Sequence, residues 1–505
     1  MKKTAAALFL SLGCLALLAF VDEPSGRTSS GPAFSRSRWL EEREAQGVRF
    51  SGLVGPPPRL DPAILAAKAR PPRGLPAGVL RVSADLLADD GGRAQPETQA
   101  EPFLAIDPAN GNHLLAGYQE GRFADGGCRT LTSAVSFNGG RTWREALLPN
   151  LTVATGGAYE RTSDPWVAFG PGGRAYYVAL GFNETRFQNG VFLSTSEDGG
   201  RTWGDPVAVS TSRENFNDKE AVVVDNRSDS PYRGRIYVAW DWVTEQNQQP
   251  IVLSYSEDGG ASFSPPIFIR GQGNGIGVAP AVGPGGVLYA VWLNFISRSS
   301  QALVAARSTD GGATWSAPVT ISDLRVAGVP GARTAEGIPS LAIDDRNGAL
   351  YVAWQDDRFT PGVDQVVLSS STDGGQTWSE PQLVSDGPGD APNFTPAVAV
   401  TPEGAVGVAY YSLRNDPDRS VLVDEYLSVS RDGGKTFAKG LRVTARSWDL
   451  RSAAQTEGGL FLGDYQGLAA ASKRLQPFWI GTFLPSRRDP SVRQPDAVTR
   501  TMAVR

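Results

Sequence analysis

The sequence predicts an all-β fold, a closed β-propeller of four-stranded antiparallel sheets. Three observations support this prediction. The 505 residues include 58 glycines and 36 prolines, roughly 19% of the chain against about 12% in average usage, which favours turns over long helices. One octapeptide recurs six times at a regular spacing. A pair of apolar segments recurs beside it, with the Ala, Val and Ile content typical of buried strands.

The composition excludes several classes of function. Hydrophobic residues make up 41% of the chain, so a large core can form. The formal net charge of -5 gives no basic surface, which argues against nucleic acid as a partner. One histidine and two cysteines exclude zinc sites built on those residue types. We therefore expect any catalysis to use carboxylates, Tyr, Arg, Lys or Ser, without a metal or an organic cofactor.

Residues 1–20 have the pattern of a signal peptide. A positive start, Met1-Lys2-Lys3, precedes sixteen apolar residues, which is short of the roughly 20 that span a bilayer. No other stretch is apolar enough to cross a membrane, so we expect a mature chain without a membrane span. The sequence around Cys14 resembles a lipoprotein cleavage box, which leaves lipid anchoring open beside ordinary export. Cys128 would then remain alone, without a disulfide framework.

Residues 21–77 differ in composition from the rest of the chain. They are rich in Pro and Arg, with proline runs at 56–58 and 71–72, and they show no sustained hydrophobic period. We interpret them as a linker or a pro-segment. The repeats start near residue 78, so the propeller is predicted to span residues 78–505.

The octapeptide has a physical logic as a hairpin turn. An Asp or Asn side chain can bind backbone amides ahead of it, and a Gly pair supplies the positive φ that a tight turn needs. A Trp or Phe closes each copy and can pack between sheets. The closing aromatics are 60, 60, 52, 63 and 59 residues apart, a period that suits one four-stranded blade. The six copies are residues 136–143, 196–203, 256–263, 308–315, 371–378 and 430–437.

This Ser-x-Asp-x-Gly-x-Thr-Trp pattern is the Asp-box, and residues 78–505 resemble the sialidase (bacterial neuraminidase repeat) superfamily of β-propellers. The resemblance implies that the boxes are structural turns remote from the catalytic face. It is more specific for the fold than for the activity, because non-catalytic propellers share such boxes. Sialidases also carry an Arg-Ile-Pro motif, and the nearest match here, Gly337-Ile338-Pro339, lacks the arginine.

The paired apolar segments predict the number of blades. Seven pairs indicate seven blades, with the six blades of true sialidases as the alternative. The seventh pair has no octapeptide after it, so residues 497–504 are predicted as its third strand and residues 79–86 as its fourth, joining the chain ends. The pairs are residues 103–107 with 114–118, 166–170 with 176–180, 221–225 with 236–240, 281–283 with 287–292, 340–344 with 350–354, 397–401 with 406–410, and 466–470 with 477–482.

Arginines recur where the second strand of each blade is predicted to end, on the face opposite the octapeptides. Guanidinium groups converging on a central funnel can hold a carboxylate through two hydrogen bonds each. The resemblance implies such a role toward the carboxylate of sialic acid. The alternative is that each arginine pairs with a nearby acid and orders a loop. The arginines are Arg122, Arg186, Arg298, Arg358 and Arg414, with Arg487 or Arg488 in the seventh repeat.

The starts of the first strands carry a second pattern. Proline recurs there, at Pro102, Pro165, Pro280, Pro339 and Pro396. The third and seventh repeats have Glu220 and Tyr465 instead. The family's nucleophile is a Tyr activated by a Glu, with an Asp as acid and base, so the resemblance implies Tyr465 as nucleophile, Glu220 as its activator and Asp164 as proton donor. The alternative is that Tyr465 packs on a neighbouring blade and Glu220 pairs with Lys219.

The resulting prediction is an exported, monomeric, sialidase-like glycoside hydrolase that cleaves terminal sugars, sialic acid among the candidates, from a glycan or glycoconjugate. The first alternative is a non-catalytic propeller that binds glycans or proteins at the cell surface. The second is a structural or assembly factor there. Fold alone does not choose among them.

Overall fold

The computed structural model describes Arg36, Trp39, Glu42 and residues 59–67, 74–88, 91–269, 273–297, 300–486 and 494–504. All of them belong to one compact unit, Phe34–Arg505. The predicted signal peptide with Cys14, most of the predicted linker, and three of the predicted arginines, Arg298, Arg487 and Arg488, lie outside the described residues.

The residues described before the first sheet include a short helix and a short strand, and Arg36, Trp39 and Glu42 are also helical. Helix α1 is Pro62–Ala66, and Asp61 caps it by accepting a hydrogen bond from the Ala63 amide at 2.8 Å. Strand β1 is Leu80–Arg81.

Seven groups of four or five antiparallel strands then follow each other along the chain, here called sheets I to VII, and the pairing of Cys128 with Thr162 joins the first two into one eight-stranded sheet. Sheet I is β2 Gln99–Asp107, β3 Asn110–Arg122, β4 Cys128–Ser136 and β5 Arg144–Leu147. Sheet II is β6 Arg161–Phe169, β7 Ala175–Phe182, β8 Asn189–Ser196 and β9 Val207–Ser212. Sheet III is β10 Phe216–Val224, β11 Ile236–Val243, β12 Ile251–Ser256 and β13 Ile267–Phe268. Sheet IV is β14 Asn274–Val282, β15 Leu288–Ser297, β16 Ser300–Ser308 and β17 Val319–Asp323.

The second half of the chain repeats this arrangement with additions. A short strand, β18 Ala332–Arg333, precedes sheet V, which is β19 Ser340–Ile343, β20 Leu350–Asp356, β21 Gln365–Ser371 and β22 Gln382–Leu383. Sheet VI is β23 Asn393–Val400, β24 Val406–Ser412, β25 Leu422–Ser430 and β26 Leu441–Arg442. Next come β27 Trp448–Asp449, which pairs with β25, then β28 Ala454–Thr456 and β29 Gly459–Phe461. Sheet VII is β30 Gly467–Ala471, β31 Arg474–Gly481, β32 Asp496–Thr499 and β33 Met502–Ala503, with β1 as its outer strand.

Only single turns of helix interrupt the strands within the described part of the chain, so the predicted all-β class is confirmed. Four of these turns are 3-10 helices, at Val153–Thr155, Pro171–Gly173, Pro284–Gly286 and Leu450–Ser452.

The two ends of the repeat region meet in sheet VII. Leu80 pairs with Thr499 and Arg81 with Val498, in antiparallel register. The pairing of chain ends predicted from the sequence is therefore present, although the strand is shorter than residues 79–86. It gives β32 a partner on its outer side.

The core consists of apolar layers between consecutive sheets. Tyr177 of sheet II packs with Leu115 of sheet I, and Trp240 of sheet III packs with Val178 of sheet II. The largest layer joins sheets VI, VII and I, and it contains Tyr118 of sheet I. The first strands of the sheets contact each other in chain order, and β30 of sheet VII contacts β2 of sheet I.

The octapeptides form hydrogen-bonded turns, as the second copy illustrates. Oδ1 of Asp198 accepts hydrogen bonds from the amides of Arg201 and Thr202, both at 2.9 Å. The Ser196 hydroxyl donates to the same oxygen at 2.8 Å and accepts from the Gly200 amide at 2.7 Å. Although partial burial opposes it, these donors lower the pKa of Asp198 to about 2. The turn therefore holds an ionised Asp at its centre.

A β-bulge interrupts the first strand of five sheets, and it positions the candidate site. At each bulge two consecutive residues have no paired residue on the adjacent strand. The first of the two has a positive φ of between 48° and 69°. Apart from one glycine, these first residues have a Cβ, and a positive φ then costs about 1–3 kcal/mol of backbone strain. Such strain is found mainly at functional sites. The bulged pairs are Glu101-Pro102, Asp164-Pro165, Lys219-Glu220, Gly277-Val278 and Thr395-Pro396.

The bulge in sheet IV corrects one sequence alignment. Pro280 was aligned with the prolines at the starts of the other first strands. The structure places Val278 at that position, because Gly277 takes the positive φ and Ala279 resumes the pairing with Val291. Pro280 therefore lies within the regular part of its strand.

Candidate functional site

A cluster of buried charged side chains forms where the bulges of sheets I, II and III meet the start of sheet VII. Nζ of Lys219 lies 3.1 Å from Oδ1 of Asp164 and 3.8 Å from Oε1 of Glu101. It also forms an ion pair with Oδ2 of Asp464. Glu101, Asp164 and Lys219 are the strained first residues of their bulges, so the backbone strain and the charges coincide. Such coincidence is typical of a functional site.

Two arginines complete the cluster. Nη2 of Arg333 lies 2.7 Å from Oδ2 of Asp464. Arg122 donates to Oε1 of Gln119 at 2.7 Å, and the Gln119 amide donates in turn to Glu101. The two guanidinium groups lie 4.5 Å (Arg122) and 4.6 Å (Arg333) from the ring centroid of Phe461. Sequence reasoning missed Arg333, which belongs to the short strand β18 before sheet V and to no repeat.

The surroundings of the cluster shift the pKa values of its two carboxyl groups, Glu101 and Asp464, in opposite directions. Burial, and then the charge of Asp164, raise the pKa of Glu101 to about 7. Burial would also raise the pKa of Asp464, but the charges of Arg333 and Lys219 outweigh it and lower that pKa. Burial would lower the pKa of Lys219, but the surrounding carboxylates raise it well above its usual value. Lys219 therefore stays an ammonium and cannot serve as a base.

A cavity of about 150 Å³ adjoins this cluster. Its polar walls come from the start of sheet VII, from the segment that follows β18, and from strands β20 and β23. Phe103 and Trp166 form an aromatic wall, with ring centroids 3.8 Å apart and planes inclined by 24°. The polar lining residues include Glu336, Gln355, Thr395, Asp464, Tyr465 and Gln466.

Glu336 is a second carboxyl group in the cavity wall. Its Oε1 accepts a hydrogen bond from the Thr334 hydroxyl at 3.2 Å. Burial, and then the charges of Asp364 and Asp464, raise the pKa of Glu336 to about 7. The cavity thus presents two carboxyl groups whose pKa values are moved apart, an arrangement that suits an acid and a base. No sequence pattern singled out Glu336.

Three polar atoms of the cavity residues have no hydrogen-bond partner among the described residues: Oε2 of Glu336, Oδ1 of Asp464 and Oε1 of Gln466. All three belong to side chains that are nearly fully buried, with residue exposures of 3%, 2% and 3%. All three are acceptors when the carboxyl groups are ionised.

Tyr465, the nucleophile of the sequence hypothesis, lines the cavity. Its hydroxyl donates to the carbonyl oxygen of Pro165 at 3.1 Å, and its ring lies 5.3 Å from that of Trp166. Burial, and then the charges of Glu101, Asp164 and Glu220, raise its pKa well above 10. The phenol is therefore neutral in the free protein.

Glu220, the proposed activator, is fully buried. Neither carboxylate oxygen has a partner on another described residue. Burial, and then the charge of Asp164, raise its pKa well above its ordinary value. The ion pairs of Lys219 go to Glu101, Asp164 and Asp464 rather than to Glu220. Tyr465, Glu220 and Asp164 thus share one electrostatic environment, with Asp164 bound to Lys219.

The predicted arginines have different surroundings. Arg122 belongs to the charged cluster, whereas Arg186 is exposed and donates to the Ala158 carbonyl at 3.4 Å. Arg358 binds Asp356 through two hydrogen bonds of 2.7 and 2.8 Å.

Arg414 donates to Asp386 at 2.7 Å and lies 3.9 Å from the centroid of the Tyr426 ring. Arg358 and Arg414 therefore fit the alternative of local pairing. No arginine or lysine lines the cavity within the described part of the chain.

Two searches of the described residues were negative. No group of three or more His, Cys, Asp or Glu side chains there is arranged to hold a metal ion. No described helix has the length and apolar content needed to cross a membrane.

Comparison with known proteins gives one curated relative. A sialidase of Bacteroides fragilis is 26% identical over 164 residues, covering 26% of this chain and 27% of that protein. The chain thus matches about a quarter of the length of this relative. No protein-family model matches the chain.

Solved structures with related chain traces have low identity and TM-scores below 0.5. A Dyadobacter fermentans protein of unknown function has a TM-score of 0.46 at 15% identity, covering 68% of this chain and 95% of that chain. A Hadza microbial sialidase has a TM-score of 0.44 at 15% identity, covering 74% and 73%. A Penicillium chrysogenum α-L-arabinanase has a TM-score of 0.43 at 13% identity, covering 68% and 93%. The curated match confirms the resemblance to sialidases that the repeated octapeptides indicated.

Proposed function

We propose that the protein is an exported glycoside hydrolase whose seven sheets are the blades of a closed propeller. The blade assignment is supported by contacts between successive first strands, which run from β2 to β30 and return to β2. Export is supported by the signal-like residues 1–20. The proposed substrate is a glycan, and the proposed active site is the cavity lined by Asp464, Glu336 and Tyr465.

The carboxyl pair of the cavity carries this proposal. Lys219 and Arg333 hold Oδ2 of Asp464, while Oδ1 is buried without a hydrogen-bond partner among the described residues. The lowered pKa of Asp464 keeps it ionised at neutral pH, while the raised pKa of Glu336, about 7, keeps a large fraction protonated. One group can thus donate a proton and the other can act as base or nucleophile, which is what glycoside hydrolysis requires.

The reaction follows from these roles. Glu336 donates its proton to the glycosidic oxygen as the bond from that oxygen to the anomeric carbon breaks. Asp464 either attacks the anomeric carbon or takes a proton from the attacking water. NMR can identify which anomer of the sugar is released first, and this result distinguishes the two routes. The aromatic wall of Phe103 and Trp166 offers an apolar surface to one face of the sugar ring.

The Tyr465 hypothesis remains a second assignment for the same cavity. It needs a phenolate at Tyr465 and an ionised Glu220, and the raised pKa values of both groups oppose these forms in the free protein. Bound substrate would have to lower the pKa values of both Tyr465 and Glu220. We therefore place Asp464 and Glu336 first.

The test is hydrolysis of a panel of aryl glycosides by the wild type and variants. We expect Glu336→Gln and Asp464→Asn to lower kcat/KM by about 10²–10⁴-fold, the usual contribution of an acid or base. Glu120→Gln is the matched control, because Glu120 is equally buried, has a pKa of about 7 and lies outside the cavity.

Two results would contradict this assignment. Activity that survives both cavity substitutions but is lost in Tyr465→Phe and Glu220→Gln would move catalysis to Tyr465, Glu220 and Asp164. No release from any glycoside by a folded wild type would favour the second candidate function, a non-catalytic propeller that binds glycans through the same aromatic wall.

A further inference from the structure

Two short segments that precede the first sheet pack onto the rest of the fold. The first, here called the first anchor, is Arg36 with Trp39, and the second anchor is Leu60 with helix α1. Both belong to the same compact unit as the sheets. The described part of the predicted linker is therefore packed against the sheets.

The first anchor is fixed by a buried arginine. Nε of Arg36 donates to Oε2 of Glu184 at 3.1 Å, and its Nη2 donates to the Asp125 carbonyl oxygen at 2.7 Å. The guanidinium group lies 4.5 Å from the centroid of the Phe182 ring, and the whole residue is buried. The Arg36 amide also donates to the Glu184 carbonyl oxygen at 3.0 Å. Charge-assisted hydrogen bonds of this kind hold the segment in one place.

Trp39 connects the first anchor with strand β10, which carries Lys219. The centroid of its ring lies 4.9 Å from that of Phe187 and 5.8 Å from that of Phe216. Phe216 is buried, and it is the first residue of β10, three positions before Lys219. The first anchor thus packs on the start of the strand that supplies this lysine.

The charge of Arg36 acts on the same strand. Asp218 directly precedes Lys219 and is buried. Burial, and then the charges of Asp164 and Asp241, raise the pKa of Asp218 well above its usual value, and the charges of Lys219 and Arg36 oppose this shift. Because the two cations act on one buried carboxyl group, displacement of Arg36 would change the electrostatic surroundings of Lys219.

The second anchor packs on the residue before strand β18, which carries Arg333. Leu60 is buried, and it contacts Val421 and Leu422 at the start of β25. A methyl group added to Gly331 would lie only 2.8 Å from Cβ of Leu60. Gly331 directly precedes β18, so Leu60 packs against the backbone from which this short strand begins.

Arg451 fixes the other end of the second anchor. Its Nη1 donates to the carbonyl oxygens of Ile64 and Ala67, at 3.2 and 2.9 Å. These carbonyls lie at the carboxyl end of α1, where a cation is favourable. Asp449 holds the same guanidinium group through hydrogen bonds of 3.0 and 2.8 Å. The second anchor is therefore held by packing at one end and by a fixed charge at the other.

We infer that the two anchors position Lys219 and Arg333, the cations that bind Oδ2 of Asp464, and that full activity requires both anchors. The effect on activity rests on the proposed glycoside hydrolase function. Neither cation lies on an element that is rigid by itself, because β18 has two residues and Lys219 has a strained backbone. A strained conformation persists only where surrounding contacts maintain it, and the anchors supply such contacts.

Loss of an anchor should change the ionisation of Asp464. Burial would raise the pKa of Asp464, but the charges of Arg333, Lys219 and Arg122 lower it. When an anchor is removed, its cation can move away from the carboxylate, so less of this lowering remains. The acidic limb of kcat/KM should then lie at higher pH. The other carboxyl groups beside Lys219 are Glu101 and Asp164.

The experiment compares two anchor variants of the full chain with matched controls. Trp39→Ala and Leu60→Ala each remove the packing of one anchor, so a failure of one variant to fold leaves the other as a test. Trp378→Ala and Leu303→Ala are the controls. Trp378 is half-buried and Leu303 is buried, both pack between sheets IV and V, and neither lines the cavity.

Hydrogen–deuterium exchange measures the positioning without using activity. Trp39→Ala should speed the exchange of amides 216–220, and Leu60→Ala should speed that of amides 331–334, each by at least about tenfold. The control variants should leave both segments unchanged.

Turnover of aryl glycosides measures the effect on the chemistry. We expect each anchor variant to lower kcat about tenfold with little change in KM, because Asp464 is displaced and not removed. The acidic limb should move upward by about half a pH unit or more. Trp39→Phe keeps an aromatic ring against Phe216, so it should restore the acidic limb and most of kcat.

The outcomes separate this inference from the proposed function. The expected changes in exchange, in a protein that hydrolyses no glycoside, would support the positioning and contradict the hydrolase. Exchange no faster than in the controls, or an unchanged acidic limb in both anchor variants of an active enzyme, would overturn the inference and leave the hydrolase intact. Higher turnover in either anchor variant would also overturn it, in favour of an inhibitory pro-segment.

Discussion

Lys219 and Asp464 form a buried ion pair although 245 residues separate them in the chain. Lys219 belongs to the bulge of sheet III, and Asp464 precedes the first strand of sheet VII. Their contact ties sheets distant in sequence into one charged centre. A second cation, Arg333, reaches the same carboxylate from the segment before sheet V.

Replacing Lys219 by Met should destabilise the protein strongly. The change leaves the buried carboxylates of Glu101, Asp164 and Asp464 without their shared ammonium, and breaking a buried pair costs about 3–5 kcal/mol. Urea unfolding would measure the change. Arg325→Ala is the control, because the pair of Arg325 with Asp323 is exposed and its loss should cost less than about 1 kcal/mol. Equal effects of the two substitutions would contradict the buried-pair interpretation.

The activity should fall as the pH rises above about 7. Glu336 acts in its protonated form, and its pKa of about 7 marks the loss of that proton. The acidic limb of the profile should lie at low pH, because the pKa of Asp464 is lowered. The profile of kcat/KM against pH checks both limbs, and residual activity of Glu336→Gln should lack the basic limb. A basic limb unchanged in that variant would assign it to another group.

Stability should decrease with pH through the buried Glu120. Burial, and then the charge of Asp85, raise its pKa to about 7, above its value in an unfolded chain. The folded state then binds the proton more tightly, so this contribution is complete at low pH and is lost as the pH rises through 7. Glu120→Gln should show a smaller loss of unfolding free energy between pH 5 and pH 8, measured in urea. An identical slope in both proteins would contradict the shift.

Asp198→Ala should weaken the second octapeptide turn without touching the site. The substitution removes four hydrogen bonds around one carboxylate, and we expect a loss of about 1–2 kcal/mol in unfolding free energy. Thermal unfolding and glycoside turnover would be measured together. Arg201→Ala, on the same turn, serves as the control, because it keeps the carboxylate and removes only an exposed hydrogen bond to the Asp198 carbonyl and a cation–π contact with Phe137. A loss of turnover in folded Asp198→Ala would place the turn nearer to the chemistry than proposed.

Val82→Ala should test the junction of the chain ends. Val82 is buried in the layer that joins sheets VI, VII and I, and its amide donates to the Ala497 carbonyl at 2.8 Å. Truncation of such a side chain should cost about 1–3 kcal/mol. Leu80→Ala, two residues earlier, changes a more exposed side chain and should cost less than about 1 kcal/mol. Similar losses would mean that the junction contributes little to stability.

The repeated elements were predictable because their signals are local. The octapeptide contains its own donors and acceptors, so its turn can be read from eight residues. The paired apolar segments then predicted the strands between the turns. The pairing of β1 with β32 followed from counting strands, since the seventh repeat lacked one.

The site was less predictable because its geometry opposes local preference. Glu101, Asp164, Lys219 and Thr395 have a positive φ, a conformation that residues with a Cβ usually avoid. In sheet IV the residue with positive φ is Gly277. The sequence pattern therefore placed Pro280, rather than Val278, at the position of the recurring prolines, and this alignment was wrong. Arg333 and Glu336 precede sheet V in a segment without a repeat, so no pattern could connect them with Asp464.

The pairing of Leu80 with Thr499 also has a consequence for biosynthesis. The strand that completes sheet VII, β1, is made long before its partner β32, because sheets I to VI lie between them in the chain. Contacts so distant along a chain form slowly, and unpaired strand edges favour aggregation until they do. A nascent chain therefore keeps an open edge until β32 has been synthesised, and loss of β32 would leave that edge permanently exposed.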